Sequence, residues 1–503
     1  MATMLICVLC RLVLIGMAIN LYGKELPMTP HVVTWPAPAT EPASPDYTLT
    51  VEGMPVFVYQ TRVRAEILQN DGLWTHRPNC PGERASFAIF DIREPVTVTI
   101  HPQKPVTSVT VLPARANVTA KIKDGTVSFQ LTKAQPITVL FNGTAQLPLH
   151  LFVGEPEQNP PAPGDPHVVY FGPGVHEITG MQIKSGETVY LAGGAVVKGV
   201  LRPGEKGEYI EKWKVTFFNG VLFNADGVKN VRICGRGILD ASLVPHPGRN
   251  MIGIRNSQHV QLSGITLRDA ANWNVHISGS TDVDVDDLRI ISGRLNTDGI
   301  NSTNSRDIRI RHCFVRNHDD SIVVKTLVPD KPCEHIQVED CVIWSDWGYA
   351  LGATYETRSP IRDVQFRRCD VLAARHWVIG VHLSDSATVS DFRFQGIEVA
   401  DLKMPGKRLN MPEEPTLIRM TVQADVWGHD PTRGHIRDIV IEHVTVDGAH
   451  LPGSSFYGAD AKHGIENVTL RDIHLRGQPP ATDAKALGAH HNEFTRGLRV
   501  VAE

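Results

Sequence analysis

The sequence predicts an all-β protein, in which a right-handed parallel β-helix follows a small antiparallel β-sandwich. Two observations predict this fold. Apolar and polar residues alternate with a period of two through residues 47–154, and a unit of 23 to 29 residues recurs through most of the remaining chain. The 42 glycines and 34 prolines among 503 residues indicate many short elements joined by turns. Long helices should therefore be scarce.

Composition excludes several classes of protein. Hydrophobic residues make up 42% of the chain and charged residues 21%, which is typical of a folded globular protein and not of a disordered one. Lys and Arg number 50 against 54 Asp and Glu, a formal charge of -4. This balance gives no electrostatic basis for binding a polyanion, and we expect no nucleic-acid partner.

The first 23 residues, MATMLICVLCRLVLIGMAINLYG, are interpreted as a signal or leader segment. Arg11 interrupts the apolar run, so the segment is a poor membrane span and no span is predicted. A proline-rich linker at 24–46 follows it, and we expect a secreted or periplasmic protein. The alternative is a loose or mis-assigned start. Cys7 and Cys10 form an accidental CxxC rather than a metal site.

Residues 47–154 are predicted to form the β-sandwich, as an accessory domain. Stretches such as SFAIFDIREPVTVTI and PITVLFNG alternate in period two and are broken every eight to twelve residues by Gly, Pro or Asn. The charged, proline-rich segment EPEQNPPAPGDP at 155–166 marks the domain boundary.

Residues 167–478 are predicted to form the β-helix, followed by a polar tail at 479–503. A polar residue followed by an apolar anchor recurs with no helical spacing, so each unit suits one coil. One interval of 47 residues holds an insertion, which we expect to form a surface loop or an extra coil. The anchors are Val231, Val260, Val283, Ile308, Ile336, Val364, Phe392, Ile439 and Val468.

Two side-chain patterns test this register. Cys313, Cys341 and Cys369 recur every 28 residues and should form a column of buried free thiols, because no CxxC pair accompanies them. The acidic run TDVDVDD at 281–287 suggests calcium, but the repeat places Arg309 beside Asp284 and Arg311 beside Asp286. Ion pairing therefore explains the run better than a metal.

The same alignment brings three carboxylates together. Matching the strand starts Val275, Ile300, Ile322, Ala350 and Val378 gives a column containing Trp273, Asp298, Asp320, Gly348 and His376. The adjacent column contains Asn272, Thr297, Asp319, Trp347 and Arg375. Asp298, Asp319 and Asp320 should thus meet on one wall, and we expect Lys325, Arg294, Arg316, Arg375 and His376 to surround them with positive charge.

Such a cluster suits glycosidic cleavage. Like charges this close cannot all ionise freely, so one carboxyl keeps its proton while another stays anionic. A protonated acid can then donate to the leaving oxygen, and a carboxylate can activate water or attack the sugar carbon. Tryptophans beside the acids offer flat surfaces for sugar rings. The alternative is ordinary turn chemistry, because Asp and Asn are frequent in β-solenoid turns.

NTDGIN at 296–301 and HDDSIVVK at 318–325 resemble the paired motifs of the polygalacturonases, glycoside hydrolase family 28. GRGILDAS at 235–242 and DAANWNVH at 269–276 resemble the coils that precede the site in that family. The resemblance spans about residues 168–400, and the leading sandwich resembles bacterial multi-domain members.

The resemblance implies a pectin-type polysaccharide as substrate and an inverting mechanism without metal or cofactor. Asp319 would be the general acid, and Asp298 and Asp320 would hold the attacking water. The closest counterpart of the family's Gly-His-Gly is DWGYALGATYETR at 346–358, and the family's Arg-Ile-Lys has no clear counterpart. The predicted substrate-binding residues are Trp273, Asn296, Lys325, Trp347, Tyr349, Glu356, Arg358, Arg375 and His376.

Three other functions remain open from the sequence. The scaffold also suits a hydrolase of neutral α-glucans such as dextran, a β-helical polysaccharide lyase, or a non-catalytic glycan-binding solenoid. There is no GxSxG, P-loop, HExxH or spaced zinc set that would point to other chemistry. The sequence gives no oligomeric state.

Overall fold

A computed structural model describes residues 31–64, 83–401 and 415–502. The leader at 1–23 with Cys7 and Cys10, the first part of the linker and part of the insertion lie outside the described residues. The described ranges consist of β-strands and turns apart from a single 3₁₀ turn, Ala114–Ala116. No helix within these ranges has the length and apolar character to cross a membrane. The predicted all-β fold, a β-sandwich followed by a parallel β-helix, is confirmed.

The leading domain is formed by two sheets that enclose one apolar core. Pairing is antiparallel except between Glu83–Ile92 and Leu149–Gly154, which run parallel. One sheet contains Val32–Thr34, Val58–Arg64, Glu83–Ile92, Val109–Leu112, Pro136–Phe141 and Leu149–Gly154. The other contains Tyr47–Val51, Met54–Val56, Val96–Pro102, Lys121–Lys123 and Thr126–Leu131.

The β-helix has three parallel walls. The anchor wall contains Val168–Phe171, Thr188–Leu191, Lys229–Gly235, Gln258–Ser263, Thr281–Asp286, Arg306–Arg311, Cys333–Glu339, Ile361–Arg367, Thr388–Val399, His435–Val446, Ile465–Leu475, Thr495–Arg496 and Arg499–Val501. The middle wall contains Gly174–Ile178, Ala195–Gly199, Ile238–Asp240, Thr266–Arg268, Arg289–Ile291, Phe314–His318, Val342–Trp347 and Asp370–Ala374. The site wall contains Met181–Gln182, Val221–Asp226, Asn250–Arg255, Val275–Ser278, Ile300–Thr303, Ile322–Thr326, Tyr349–Thr357, Trp377–Leu383, Thr416–Val422, Ser454–Tyr457 and Ala489–His491. A hairpin, Glu208–Ile210 with Val215–Phe217, projects before Val221.

The predicted register of the anchor wall is confirmed along its length. Each anchor pairs with the next, from Val231 with Val260 to Ile439 with Val468. The coils stack on one another, and every anchor is buried in one continuous apolar core that runs through them. The 47-residue interval includes Thr416–Val422, which pairs in the site wall with Trp377–Leu383. The described part of the insertion thus adds a regular strand to the site wall, followed by a loop at 423–434.

The two side-chain columns are also as predicted. Cys313, Cys341 and Cys369 are free thiols, fully buried within the apolar core. In the acidic run, Arg309 Nε lies 2.6 Å from Asp284 Oδ1, and Arg311 contacts Asp286 at 3.7 Å. Outward charges on neighbouring strands therefore compensate one another.

Two predicted boundaries are wrong, those of the linker at 24–46 and of the polar tail at 479–503. Both segments contribute strands to the sheets of the fold. Within the predicted linker at 24–46, Val32–Thr34 pairs with Glu83–Ile92, and Glu41 is buried against Arg268 Nη1 at 2.7 Å and Lys198 Nζ at 3.0 Å. The predicted polar tail at 479–503 supplies the last strands of the site and anchor walls. Both boundaries depend on strand pairing with residues far away in the sequence. The local sequence of a short segment does not reveal such pairing.

The sandwich packs on the outer face of the middle wall. Tyr59, Phe87 and Phe152 of the sandwich share one apolar cluster with Phe314 and Trp344 of the β-helix. This contact explains why Glu83–Ile92 is buried on both faces.

Arg316 lies in this interface, so its predicted place around the acids is wrong. Its Nε lies 3.1 Å from Asp346 Oδ2, its Nη1 lies 3.1 Å from His150 Nε2, and its guanidinium stacks on Trp344. The predicted position of Arg294 around the acids is also wrong. Its side chain is buried and donates to the carbonyl oxygens of Ala270 and Val244 at 2.8 and 2.7 Å.

We expect Arg316→Met to destabilise the protein by about 3–5 kcal/mol, because it leaves the fully buried Asp346 carboxylate without its cation. Urea unfolding followed by tryptophan fluorescence would measure the loss. The matched control is Arg311→Met, which removes a partly exposed ion pair of the anchor wall and should cost about 1 kcal/mol or less. Equal stability of the two variants would contradict the role of Arg316 in the interface.

Candidate active site

The three aspartates meet where the strands of the site wall begin. Val275 pairs with Ile300 and Ile300 with Ile322, so the positions two residues upstream align Trp273, Asp298 and Asp320. Asp319 precedes Asp320 directly. Neighbouring strands are about 4.8 Å apart, and this spacing brings carboxylates from two coils into one cluster.

Beyond Asp320 the predicted column is displaced by one residue. Ile322 pairs with Leu351, not Ala350, and Tyr349 pairs with Trp377. Tyr349 and Trp377 therefore continue the column in place of Gly348 and His376. Gly348 takes a left-handed conformation with φ of 75°, and a Cβ there would lie 2.6 Å from the Asp319 carbonyl carbon. This close approach requires glycine. The one-residue shift arises just before it, because Asn317 pairs with Ser345 whereas His318 pairs with Trp347.

Asp298 is buried, with 2% of its surface exposed. Its Oδ2 accepts a hydrogen bond of 2.8 Å from Asn301 Nδ2, whereas Oδ1 accepts none from the described residues. Burial raises the pKa of Asp298, the Lys325 ammonium lowers it and the Asp320 carboxylate raises it, with a net result of about 7. This carboxyl therefore exchanges its proton near neutral pH.

Asp320 receives hydrogen bonds on both oxygens. The backbone N–H of Tyr349 donates to Oδ1 at 3.0 Å, and the Thr354 hydroxyl donates to Oδ2 at 2.7 Å. Lys325 Nζ lies 3.3 Å from the same Oδ2. These donors stabilise a negative charge on a carboxylate that has only 1% of its surface exposed.

Asp319 is the most open of the three acids and is half-buried. Its Oδ1 accepts the backbone N–H of Asp320 at 3.0 Å. Burial and the charges of Asp298 and Asp320 raise its pKa well above the ordinary range, against a smaller opposing effect of Lys325. A carboxyl that reaches solvent and has a raised pKa has the properties of a general acid.

Lys325 lies beneath the acids and not on the rim that the sequence predicts. Only 3% of it is exposed, and its Nζ lies 3.0 Å from Glu356, 3.3 Å from Asp320 and 4.0 Å from Asp298. Burial lowers the pKa of Lys325, but the three carboxylates raise it above its ordinary value. One ammonium thus compensates the buried charge of the site, and Glu356 serves as its partner.

Aromatic rings flank the acids on both sides, as the sequence predicts. Trp273 is half-buried, with its ring centroid 4.8 Å from that of His276 and 5.5 Å from Lys325 Nζ. On the other side, Trp347 is half-buried and meets the His376 ring edge-on at 3.9 Å. His376 itself is 1% exposed, so it supports Trp347.

Two predicted substrate-binding residues have different roles. The Tyr349 side chain is fully buried, stacks on Trp377 at 4.2 Å and shares a hydrogen bond of 3.2 Å with His382, so it forms the layer below the site. Arg358 donates to Asp430 at 3.0 Å and fixes a loop. Among the described residues, neither side chain forms a hydrogen bond to the three acids.

The remaining predicted contacts lie at the edges of the cluster. Asn296 is half-buried and donates to Asn272 Oδ1 at 2.6 Å, on the coil before Asp298. Arg375 is 6% exposed, and its backbone N–H donates to Ser345 O at 3.0 Å.

Asn301 and Thr354 hydrogen-bond to the acids, and the sequence analysis did not predict either contact. Asn301 matches the glycosylation pattern Asn-x-Ser/Thr, but it is fully buried and serves Asp298 instead. Its place in NTDGIN, three residues after Asp298, was an available signal. Thr354 had none, because a bulge after Val324 sets its height beside Asp320.

The parallel β-helix and its cluster of three acids define a protein of the β-helical glycoside hydrolase class. The chain belongs to glycosyl hydrolases family 28, whose sequence model matches residues 174–491, more than half of the chain. The family resemblance read from the two motifs is confirmed.

Individual relatives share less. The chain is 26% identical over 149 residues to a "Probable polygalacturonase" of Vitis vinifera, spanning 29% of this chain and 26% of the relative. Dex49A from Penicillium minioluteum shares the fold with a TM-score of 0.62 and 15% identity, over 94% of this chain and 99% of that one. A hyperthermoactive exopolygalacturonase from Thermotoga maritima gives a TM-score of 0.53 and 16% identity, over 66% of this chain and 83% of that one.

Proposed function

We propose that the protein is an inverting glycoside hydrolase that cleaves a pectin-type polysaccharide, of galacturonan or rhamnogalacturonan character. The observation that carries this proposal is the contrast within the acid cluster. Asp319 is open and its pKa is raised, whereas Asp320 is buried among donors that favour the anion. Hydrolysis needs one proton donor and one carboxylate for water, and the cluster supplies both.

In this mechanism Asp319 donates its proton to the glycosidic oxygen as the bond to the sugar carbon breaks. Water held between Asp298 and Asp320 attacks the opposite face of the ring and transfers a proton to the carboxylates. Asp298 Oδ1 is a buried atom that accepts no hydrogen bond from the described residues, so it has unused acceptor capacity for that water. Trp273 and Trp347 would supply stacking surfaces for sugar rings on either side.

A panel of polygalacturonate, rhamnogalacturonan, xylogalacturonan and dextran would test the proposal. We expect new reducing ends from a pectic substrate, with the anomeric configuration of the first product inverted in NMR spectra. An unsaturated chromophore in the products would show a lyase, and cleavage of dextran alone would show an α-glucan hydrolase. Binding without turnover would show a glycan-binding solenoid. Each of these results would overturn the proposal.

The pH dependence of kcat/KM should show the raised pKa of Asp319. Activity should fall as pH rises through that pKa, because the proton needed by the leaving oxygen is lost, and the fall should begin well above pH 4. Initial rates between pH 4 and 9 on the substrate found in the panel would measure it, with fluorescence confirming the fold at each pH. A fall centred near pH 4 would exclude Asp319 as the acid.

A further inference from the structure

Two tryptophans from distant loops stack on each other outside the β-helix. Trp213 lies at the tip of the hairpin formed by Glu208–Ile210 and Val215–Phe217, and Trp427 lies in the loop at 423–434. Their ring centroids are 4.9 Å apart and their planes differ by 22°. Both rings are half-buried, and the mechanism proposed above uses neither.

The two loops start far apart along the axis. The hairpin joins the site wall at Val221–Asp226, and the other loop leaves it after Thr416–Val422. Six strands of the site wall lie between them, a distance of about 34 Å at about 4.8 Å per coil. The interior is packed with apolar side chains, so the loops can meet only over the outer surface. Asp298 precedes the third of the six strands, and Asp319 and Asp320 precede the fourth.

The loop that carries Trp427 is firmly attached. The fully buried Asp385 carboxylate accepts the backbone N–H groups of His429 and Asp430 at 2.5 and 2.7 Å. Arg358 Nε lies 3.0 Å from Asp430 Oδ1 on the same segment. These contacts give Arg358 and Asp385 a structural purpose outside the acid cluster.

The hairpin has its own attachment at the base. Arg249, which is 3% exposed, pairs with Glu205 at 2.5 Å, and Asn219 Nδ2 donates to Glu208 at 2.9 Å. The site wall, the hairpin and the loop thus form a closed ring, with the Trp213–Trp427 stack as its joint.

We propose that the Trp213–Trp427 stack is a bar across the substrate cleft that restricts cleavage to chain ends. A closed ring can be threaded by a free end of a polymer, but an internal segment cannot enter without breaking the joint. The bar therefore sets the mode of action and favours short products. This inference rests on the proposed hydrolase function for its catalytic consequence.

The experiment compares the wild type with Trp213→Ala and Trp427→Ala on the polymer cleaved in the panel, polygalacturonate first. The wild type should release short products with little loss of viscosity per new reducing end. Both variants should lower viscosity several-fold more per bond cleaved. Tyr209→Ala, on the same hairpin but outside the stack, is the matched control and should behave like the wild type. Rapid viscosity loss by the wild type, or unchanged products in both variants, would overturn the proposal that the stack bars the cleft.

A binding measurement separates this inference from the hydrolase proposal. Wild-type protein should bind a linear oligogalacturonate or isomaltooligosaccharide but not the same chain blocked at both ends by bulky groups, whereas Trp427→Ala should bind both. A variant lacking 211–214 should repeat that result if either alanine variant fails to fold. This pattern without turnover would overturn the hydrolase proposal and support the bar, whereas equal wild-type binding of both chains would overturn the bar.

Discussion

Asp319→Asn should reduce hydrolysis by about 10²–10⁴-fold or more, because the amide cannot donate a proton to the leaving oxygen. The fold should be retained within about 1 kcal/mol, since Asp319 is half-buried and an asparagine oxygen can still accept the N–H of Asp320. Reducing-end release on the substrate found in the panel would measure the first effect, and urea unfolding the second.

The size of the loss should depend on the acidity of the leaving group. An aryl glycoside with an acidic phenol needs little protonation, so Asp319→Asn should lose much less activity on it than on the polysaccharide. Asp330→Asn is the matched control, because Asp330 is exposed, has a positive φ of 63° that asparagine also tolerates, and lies outside the cluster. Wild-type turnover of the polysaccharide by Asp319→Asn would remove this residue from the mechanism, and an equal loss on both substrates would assign it another role.

Lys325→Met should destabilise the protein by about 3–5 kcal/mol at neutral pH, because it leaves several buried carboxylates without their shared cation. Activity should fall about 100-fold or more, since Asp298 would take up a proton and lose the ability to activate water. Lys331→Met, which removes an exposed lysine from the loop just beyond the same strand, should leave both quantities near the wild-type values.

The pH dependence of this loss has a definite sign. Without Lys325 the pKa of Asp298 rises further above its unfolded value, so the folded state binds more protons than the unfolded state between those two values. Folding stability then decreases as pH rises, and the deficit of Lys325→Met should be larger at pH 8 than at pH 5. Urea unfolding at both values would measure it. A deficit that is equal at both pH values would show that Lys325 contributes packing and not charge compensation.

The repeat made much of this protein predictable. A β-helix winds at a nearly constant period, so residues about 23 to 29 apart in the chain become neighbours, and apolar anchors report that period directly. This is why the pairing of Asp298 with Asp320, the thiol column and the Arg309–Asp284 pair followed from spacing alone. Where an extra residue at Asp346 lengthens one coil, the positions predicted from the spacing were wrong by one residue.

The amino-acid sequence by itself determined the fold, the family and the three acids, because these depend on local alternation, period and motif. Tertiary structure alone decided which cations serve the site: Lys325 lies beneath the acids, whereas Arg316 and Arg294 are buried elsewhere. It also decided that Trp213 and Trp427 meet. Loops follow no repeat, and long side chains can point either way from a coil, so their contacts are fixed only when packing and charge are satisfied across the whole molecule.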